Sequence, residues 1–486
     1  MNLTAHLSPK WQQRLGPAAV GRIATRFLPF ADAATPELPL PRLLRLSLFQ
    51  ITCGMAAVLL TATLNRVMIV ELHMSALLVA LMVSIPLLFA PARALIGFKS
   101  DNHRSALGWK RVPYIWFGTL LHFGGFAILP FALLVMSGKG VFSAHYGEAG
   151  AVLGFLLVGA GTATVQTAGL ALATDIAPAE SRPRVVSLLY VMLLVGMLVS
   201  SLVIGALLRD FSPTRLVQVV QGVGLLTMLL NLTALWKQEA RTARPPVPEV
   251  APDFRASWRE FITVPRHRRL LIAVGLGAAA FAMQDVLLEP FGGQILHLTV
   301  GATTVLTSLW ATGTLLGLAL AAKMLAQGHD PHRLAGIGAA VGTLAFTGVI
   351  FAGALVEPGL LRAGAAGIGF GGGLFAVGTM TAAMALARGG AAGLALGAWG
   401  AVQATCAGLA ILAGGLLKDI AGSIALQGGF GAALVGPATG YGAVYALEIG
   451  LLFLTIVALG PLARSTEDTN DSGDTRGRFG LAGFPG

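Results

Sequence analysis

The chain has 486 residues, of which 55% are hydrophobic and only 11% charged, with a mean hydropathy of +0.76. A soluble domain carries about 25% charged residues, so this composition excludes a soluble globular protein and points to a polytopic membrane protein. The net charge of +11 is no nucleic-acid signal, because the basic residues fall in short segments between apolar runs, where they set topology.

Residues 1–42 precede the first apolar span. Lys10, Arg14, Arg22 and Arg26 recur at spacings of four or eight, with Trp11, Leu15, Ala19, Ile23 and Phe27 one position along. That pattern suits a basic amphipathic helix on an anionic membrane surface, split at Gly16-Pro17; a loosely ordered tail is the other reading. The first apolar run is too long for the core of a cleavable signal. Twelve apolar segments follow, each long enough to cross about 30 Å of hydrocarbon: 44–70, 75–97, 112–136, 148–174, 185–208, 217–235, 269–290, 301–323, 335–356, 360–386, 392–417 and 440–462. Basic residues concentrate in alternate connections, at Lys99, Arg104, Lys110 and Arg111, at Arg182 and Arg184, and along Arg241–Arg269. By the positive-inside rule both termini are cytoplasmic. The expected organisation is a first six-helix half over 43–235, a cytoplasmic linker over 236–268 stiffened by Arg244-Pro245-Pro246-Val247-Pro248, a second half over 269–462 and a polar tail over 463–486. Cys53 and Cys406 both lie in spans and read as two unpaired thiols.

Charges inside a span cost at least a few kcal/mol and mark function by default. Span one carries Asn65 and Arg66, with Glu71 about a turn further on. Span seven carries Gln284 and Asp285, with Glu289 about a turn further on. Taken as equivalent places in two repeats, these segments predict a buried pairing of Arg66 with Asp285, direct or through Asn65 and Gln284, with Glu71 and Glu289 as the alternative partners of Arg66. Gln50, Arg93, His122, Gln166, Gln403 and Glu448 are the other polar residues in spans. Interhelical hydrogen bonding that only holds helices together competes with a substrate role at each of them.

Between spans two and three, Gly97, Asp101, Arg104, Gly108, Lys110 and Arg111 resemble the major facilitator loop motif, with the distance from aspartate to basic cluster lengthened. There the glycine permits close helix approach, and the aspartate caps a helix or pairs with arginine. Asp101 is therefore expected to hold spans two and three to the first half; a basic cytoplasmic turn is the plainer alternative. His122 and His297 are the candidate axial ligands for a metal-centred ring, against the commoner reading of helix-packing histidines. No phosphate-binding glycine loop, paired-cysteine metal motif or nucleophile elbow occurs, so the sequence offers no support for an enzyme.

Several segments together carry a specific resemblance. Leu64-Asn65-Arg66-Val67-Met68-Ile69-Val70-Glu71-Leu72, Arg93-Ala94-Leu95-Ile96-Gly97, Ser105–Trp116, Leu288-Glu289-Pro290-Phe291-Gly292-Gly293 and Leu394–Gln403 resemble the PucC/LhaA family, the bacteriochlorophyll-delivery branch of the major facilitator superfamily. The likeness spans about residues 40–460. It implies an all-α membrane fold of twelve transmembrane helices in two six-helix halves. It further implies a light-harvesting antenna assembly factor of the intracytoplasmic photosynthetic membrane that hands bacteriochlorophyll to nascent antenna polypeptides. Bacteriochlorophyll synthase and the membrane-insertion machinery are the implied further partners. A secondary transporter of a small or proton-coupled solute, with Arg66 as counter-charge and Asp285 or Glu289 as proton carrier, is the rival reading.

Overall fold

The computed structural model describes residues 38–88, 109, 111–136, 143–178, 182–239, 259, 261–385 and 392–470. Among them the chain folds as long helices, which we number in chain order: α1 Leu40–Glu71 and α7 Pro265–Gln294, each interrupted within its length, and α2 Ala76–Leu88. The remaining first-half helices are α3 Val112–Leu134, α4 Ala144–Ile176, α5 Arg182–Leu207 and α6 Pro213–Leu235. The second half continues with α8 Val300–Ala326, α9 Pro331–Leu355, α10 Pro358–Ala385, α11 Ala392–Leu426 and α12 Ala438–Asn470. Eleven of these are long and apolar enough to cross a membrane; α2 has 13 residues among the described ones. The expected loop motif falls almost wholly outside the described residues: Gly97, Asp101, Arg104, Gly108 and Lys110 are not among them. The same holds for residues 1–37, for 240–258 of the linker and for 471–486 of the tail.

The helices run past the predicted hydrophobic limits because polar capping residues extend them. Ser212, Thr299 and Asp330 accept hydrogen bonds from the first-turn amides of α6, α8 and α9, satisfying donors that a helix start leaves open. Within each half, glycines let backbones touch, as where Gly371 of α10 meets Gly338 and Gly342 of α9, and Gly161 of α4 meets Gly118 of α3. Buried polar side chains add specificity: Thr52 donates to Asn231 (2.9 Å), which donates to Thr119 (2.9 Å), tying α1, α6 and α3 together. Cys53 and Cys406 are free thiols.

The two halves meet chiefly at the end of the bundle away from Leu38 and Asn470. Gly205 of α5 packs on Gly301 of α8, and Gly415 of α11 packs on Ala76 and Ala80 of α2. This is a two-fold repeat of one contact, the start of the second helix of each half against the fifth helix of the other. Asp419 of α11 accepts a hydrogen bond from the Leu77 amide (2.8 Å), so one half caps a helix of the other.

Candidate functional site

The polar residues of α1 and α7 sit where both helices depart from regular geometry. Helix α1 widens into π-helical turns over Val58–Leu64 and Val67–Glu71, with Asn65 and Arg66 between them. Thr61 donates to the Ala57 carbonyl and Asn65 to the Thr61 carbonyl; such bonds to the carbonyl four residues back loosen a helix. Helix α7 breaks into a 3-10 turn at Met283–Val286 and restarts as Leu288–Gln294. Pro290 explains the restart: it cannot donate to the carbonyl four residues earlier and is tolerated only in a first helical turn. Irregular backbone at membrane depth persists only where protein buries it or a cavity meets it, and π-turns recur at functional sites.

Arg66 is 4% exposed. Its guanidinium bonds Glu71 of its own helix and reaches the main-chain carbonyl of Leu298 in the second half (3.1 Å). It lies flat against Gly293, where an added Cβ would come within 3.0 Å of Nε. The expected pairing with Asp285 is therefore not formed. Of the alternatives named from sequence, Glu71 is the partner and Glu289 is not. Asp285 is half-buried; its carboxylate accepts from the Gln284 side chain, and its main-chain carbonyl accepts weakly from Asn65 (3.5 Å). Asn65 and Gln284 thus both reach Asp285, but no chain of bonds continues to Arg66, which points toward the far end.

The mistaken pairing has a definite source. Leu72-His73-Met74-Ser75 after α1 and Leu296-His297-Leu298-Thr299 after α7 are the true repeat. Both histidines adopt left-handed backbone (φ 53°), and Ser75 and Thr299 both accept from an amide three residues on. That register sets Asn65 opposite Glu289 and Arg66 opposite Pro290, so Arg66 and Asp285 are not equivalent.

Glu289 is 5% exposed and accepts from Thr307 of α8 (2.8 Å). On α12, Glu448 and Tyr445 are fully buried; the Tyr445 hydroxyl has no hydrogen-bond partner among the described residues, and the Glu448 carboxyl has no side-chain partner there, only the Gln284 main chain beside it. Next to them Phe291 meets Tyr441 and Tyr445 edge-on, each at 5.5 Å. Tyr441 donates to Gln294 (2.7 Å), whose amide donates across to the Ile69 carbonyl (3.3 Å). From sequence Glu448 is one polar span residue among several, and nothing in the charge pattern singles out Thr307, Tyr441 or Tyr445. Tyrosines at a spacing of four just before an intramembrane glutamate were the available signal.

The candidate histidines separate. His122 is buried, with Nε2 engaged by Thr162 (2.7 Å) and the ring stacked on Phe126. It packs between α3 and α4, with Nδ1 buried and without a hydrogen-bond partner among the described residues. His297 is exposed, in the connection between α7 and α8. Of the loop motif, Arg111 alone is described. It pairs with Asp175 at the end of α4 (3.0 Å), and its amide and that of Val112 donate to Glu239 (3.1 and 2.9 Å). Glu239 thereby caps α3, a fastening of the first half in which Asp175 and Glu239 were not foreseen.

The sequence profile described as "PUCC protein" matches residues 63–467. The chain belongs to the PucC family. A PucC protein of Rhodovulum sulfidophilum is 56% identical over 416 residues, covering 84% of this chain and 92% of its own. The Rhodobacter capsulatus protein called bacteriochlorophyll synthase 44.5 kDa chain is 29% identical over 388 residues, covering 78% of this chain and 87% of its own. Among solved structures, an inward-facing, unoccupied bacterial homolog of the human lysosomal transporter Spinster superposes with a TM-score of 0.69 at 15% identity, over 88% of this chain and 97% of that one. PucC proteins and this chain therefore share a major-facilitator-type fold, a polytopic all-helical membrane protein.

Proposed function

We propose that this chain is a light-harvesting assembly factor that binds bacteriochlorophyll within the membrane and hands it to nascent antenna polypeptides. Membership of the PucC family over residues 63–467 carries the reading, and a relative named for bacteriochlorophyll synthase supports the choice of cargo. The physical chemistry agrees. Such a pigment is too lipophilic to need a water-filled path, so a delivery protein needs apolar walls, few polar anchors and a way out into lipid. The anchors available are the half-buried Asp285, the Glu448 carboxyl, which has no side-chain partner among the described residues, and the Tyr445 hydroxyl. We place the protein in the photosynthetic membrane with both termini cytoplasmic, acting without catalysis. Its proposed partners are antenna polypeptides, bacteriochlorophyll synthase and the insertion machinery.

The experiment is an absorption spectrum of the detergent-purified protein. A co-purifying near-infrared pigment band is expected, and it should survive His122→Leu because the His122 ring is already engaged by Thr162. A colourless protein that moves a small solute into liposomes would replace this reading with secondary transport. A colourless protein still required for antenna assembly would reduce the role to chaperoning polypeptides.

A further inference from the structure

The connection between α11 and α12, residues 427–437, is the longest fully described one at its end of the bundle. From Ile420 to Leu447 the chain has no charged residue, whereas the connections after α5 and α9 carry Arg209 with Asp210, and Glu357; the short connection 295–299 is uncharged as well. Phe430, Leu434 and Val435 are 47%, 50% and 52% exposed, and Leu426 at the end of α11 is 64% exposed. A loop in water has no reason to hold these side chains out together, because burying each is worth about 1.5–3 kcal/mol. Its backbone is also largely self-satisfied. The amides of Gly428, Gly429, Gly431 and Leu434 donate to the carbonyls of Ala425, Ile424, Gly428 and Gly431 at 2.9–3.1 Å. The Thr439 hydroxyl donates to the Leu434 carbonyl at 2.6 Å. Gly428 and Gly431 supply the left-handed turns (φ 79° and 86°) that make this folding-back possible. Internal pairing of this kind is what a segment needs if water is scarce around it.

The exposed apolar surface of the loop continues into Ile420 and Ile424 of α11, faces that lipid already coats.

We propose that residues 427–437 form an interfacial loop whose Phe430, Leu434 and Val435 insert into the lipid leaflet at the end opposite the chain termini. The loop anchors α11 and α12 at a fixed depth. It also roofs a cavity of about 250 Å³ lined by Gln294, Lys418, Asp419, Leu426 and Pro437, so that this cavity meets lipid headgroups before it meets water. The inference is independent of which cargo the protein carries.

Spin labels test it in the full-length protein in lipid bilayers, with Cys53 and Cys406 replaced by Ser. Labels go at Phe430→Cys, at Leu434→Cys and, as an aqueous reference at the same end, at Asp210→Cys, whose side chain is 90% exposed. At 430 and 434, collisions with oxygen should rise and collisions with a water-soluble nickel chelate should fall relative to 210. Nickel accessibility at 430 and 434 equal to that at 210 would put the loop in water and overturn the proposal. Protection from both reagents would overturn it too, because a protein, either a second copy or a partner, would then cover the loop.

Discussion

At the scale of single residues the informative case is Arg66. A buried guanidinium needs a partner, and the sequence pointed to Asp285, with Glu71 and Glu289 as unranked alternatives. The structure chooses Glu71, the one nearest along its own helix, and gives the remaining donor capacity to a main-chain carbonyl of the other half. The two ends of the pair are unequal: the Arg66 side chain is 5% exposed and that of Glu71 40%. Solvent therefore softens the loss of Glu71 but not the loss of the arginine's surroundings. Glu71→Gln, which keeps an acceptor, should cost under about 1 kcal/mol, and Glu71→Ala about 1–3 kcal/mol, the usual penalty for leaving a buried donor unmet. In double-mutant cycles scored by thermal unfolding in detergent, Arg66 and Glu71 should couple, whereas Arg66 and Asp285 should be additive within about 0.5 kcal/mol. Coupling of Arg66 to Asp285 would mean that the bond pattern seen here is not the one that stabilises the protein.

At the scale of elements, hydropathy made the spans legible because a bilayer demands long apolar runs and nothing else in the chain resembles them. Eleven were recovered to within about four residues over most of their ends; the largest overshoot, α11 reaching Leu426 rather than 417, arises because Lys418 and Asp419, whose charges marked the predicted end, are accommodated within the protein, Asp419 on the Leu77 amide. The breaks inside α1 and α7 were not legible from hydropathy, since Thr61, Asn65 and Pro290 alter backbone geometry without altering polarity much. The repeat register was misread for a related reason. Charged residues drew the alignment, while the uncharged Leu-His-Met-Ser and Leu-His-Leu-Thr turns carried the true correspondence. Of the candidate site, Asn65 and Gln284 reach Asp285 but do not link it to Arg66 as expected, and the Glu448–Tyr445 cluster needed α12 folded against α7. Caps were readable in principle, and Asp330 makes one testable. It accepts from the His332 amide (2.7 Å) and sits 3.0 Å from the His332 ring. Burial alone would raise its pKa, but the side-chain and backbone hydrogen bonds from His332 outweigh that and hold it below the ordinary 3.8. A depressed carboxyl contributes stability that is complete above about 3.8 and is lost as pH falls through the lower folded-state value. Asp330→Ala should therefore cost about 1 kcal/mol at neutral pH, and the gap between variant and wild type should close as acid unfolding approaches. A gap that stays constant down to pH 3 would show that the carboxylate charge plays no part in this cap.

At the scale of the whole molecule, the two halves are fastened at the end away from the described chain ends. The fastenings are Gly205 on Gly301, Gly415 on Ala76, Asp419 on the Leu77 amide, Arg66 on the Leu298 carbonyl and Thr63 beside Thr304 (3.4 Å between hydroxyls). The fold superposes on that of an inward-facing transporter structure, and the fastening poses the question that separates the two functional readings. A transporter must part its halves at this end in every cycle. A carrier that receives and releases a lipophilic pigment sideways through the bilayer need not. Thr63→Cys with Thr304→Cys, in a chain whose Cys53 and Cys406 are replaced by Ser, places two thiols where a disulfide can close, since only a modest rotation separates 3.4 Å from a bond of about 2.05 Å. Oxidation should then lock the halves together, visible as a mobility shift that a reductant reverses. If delivery is lateral, the locked protein keeps its pigment band and still supports antenna assembly in isolated membranes at a rate close to that of the reduced form. If assembly stops on oxidation and resumes on reduction while the pigment stays bound, the halves must separate at this end during each delivery, and lateral release from the closed state is ruled out.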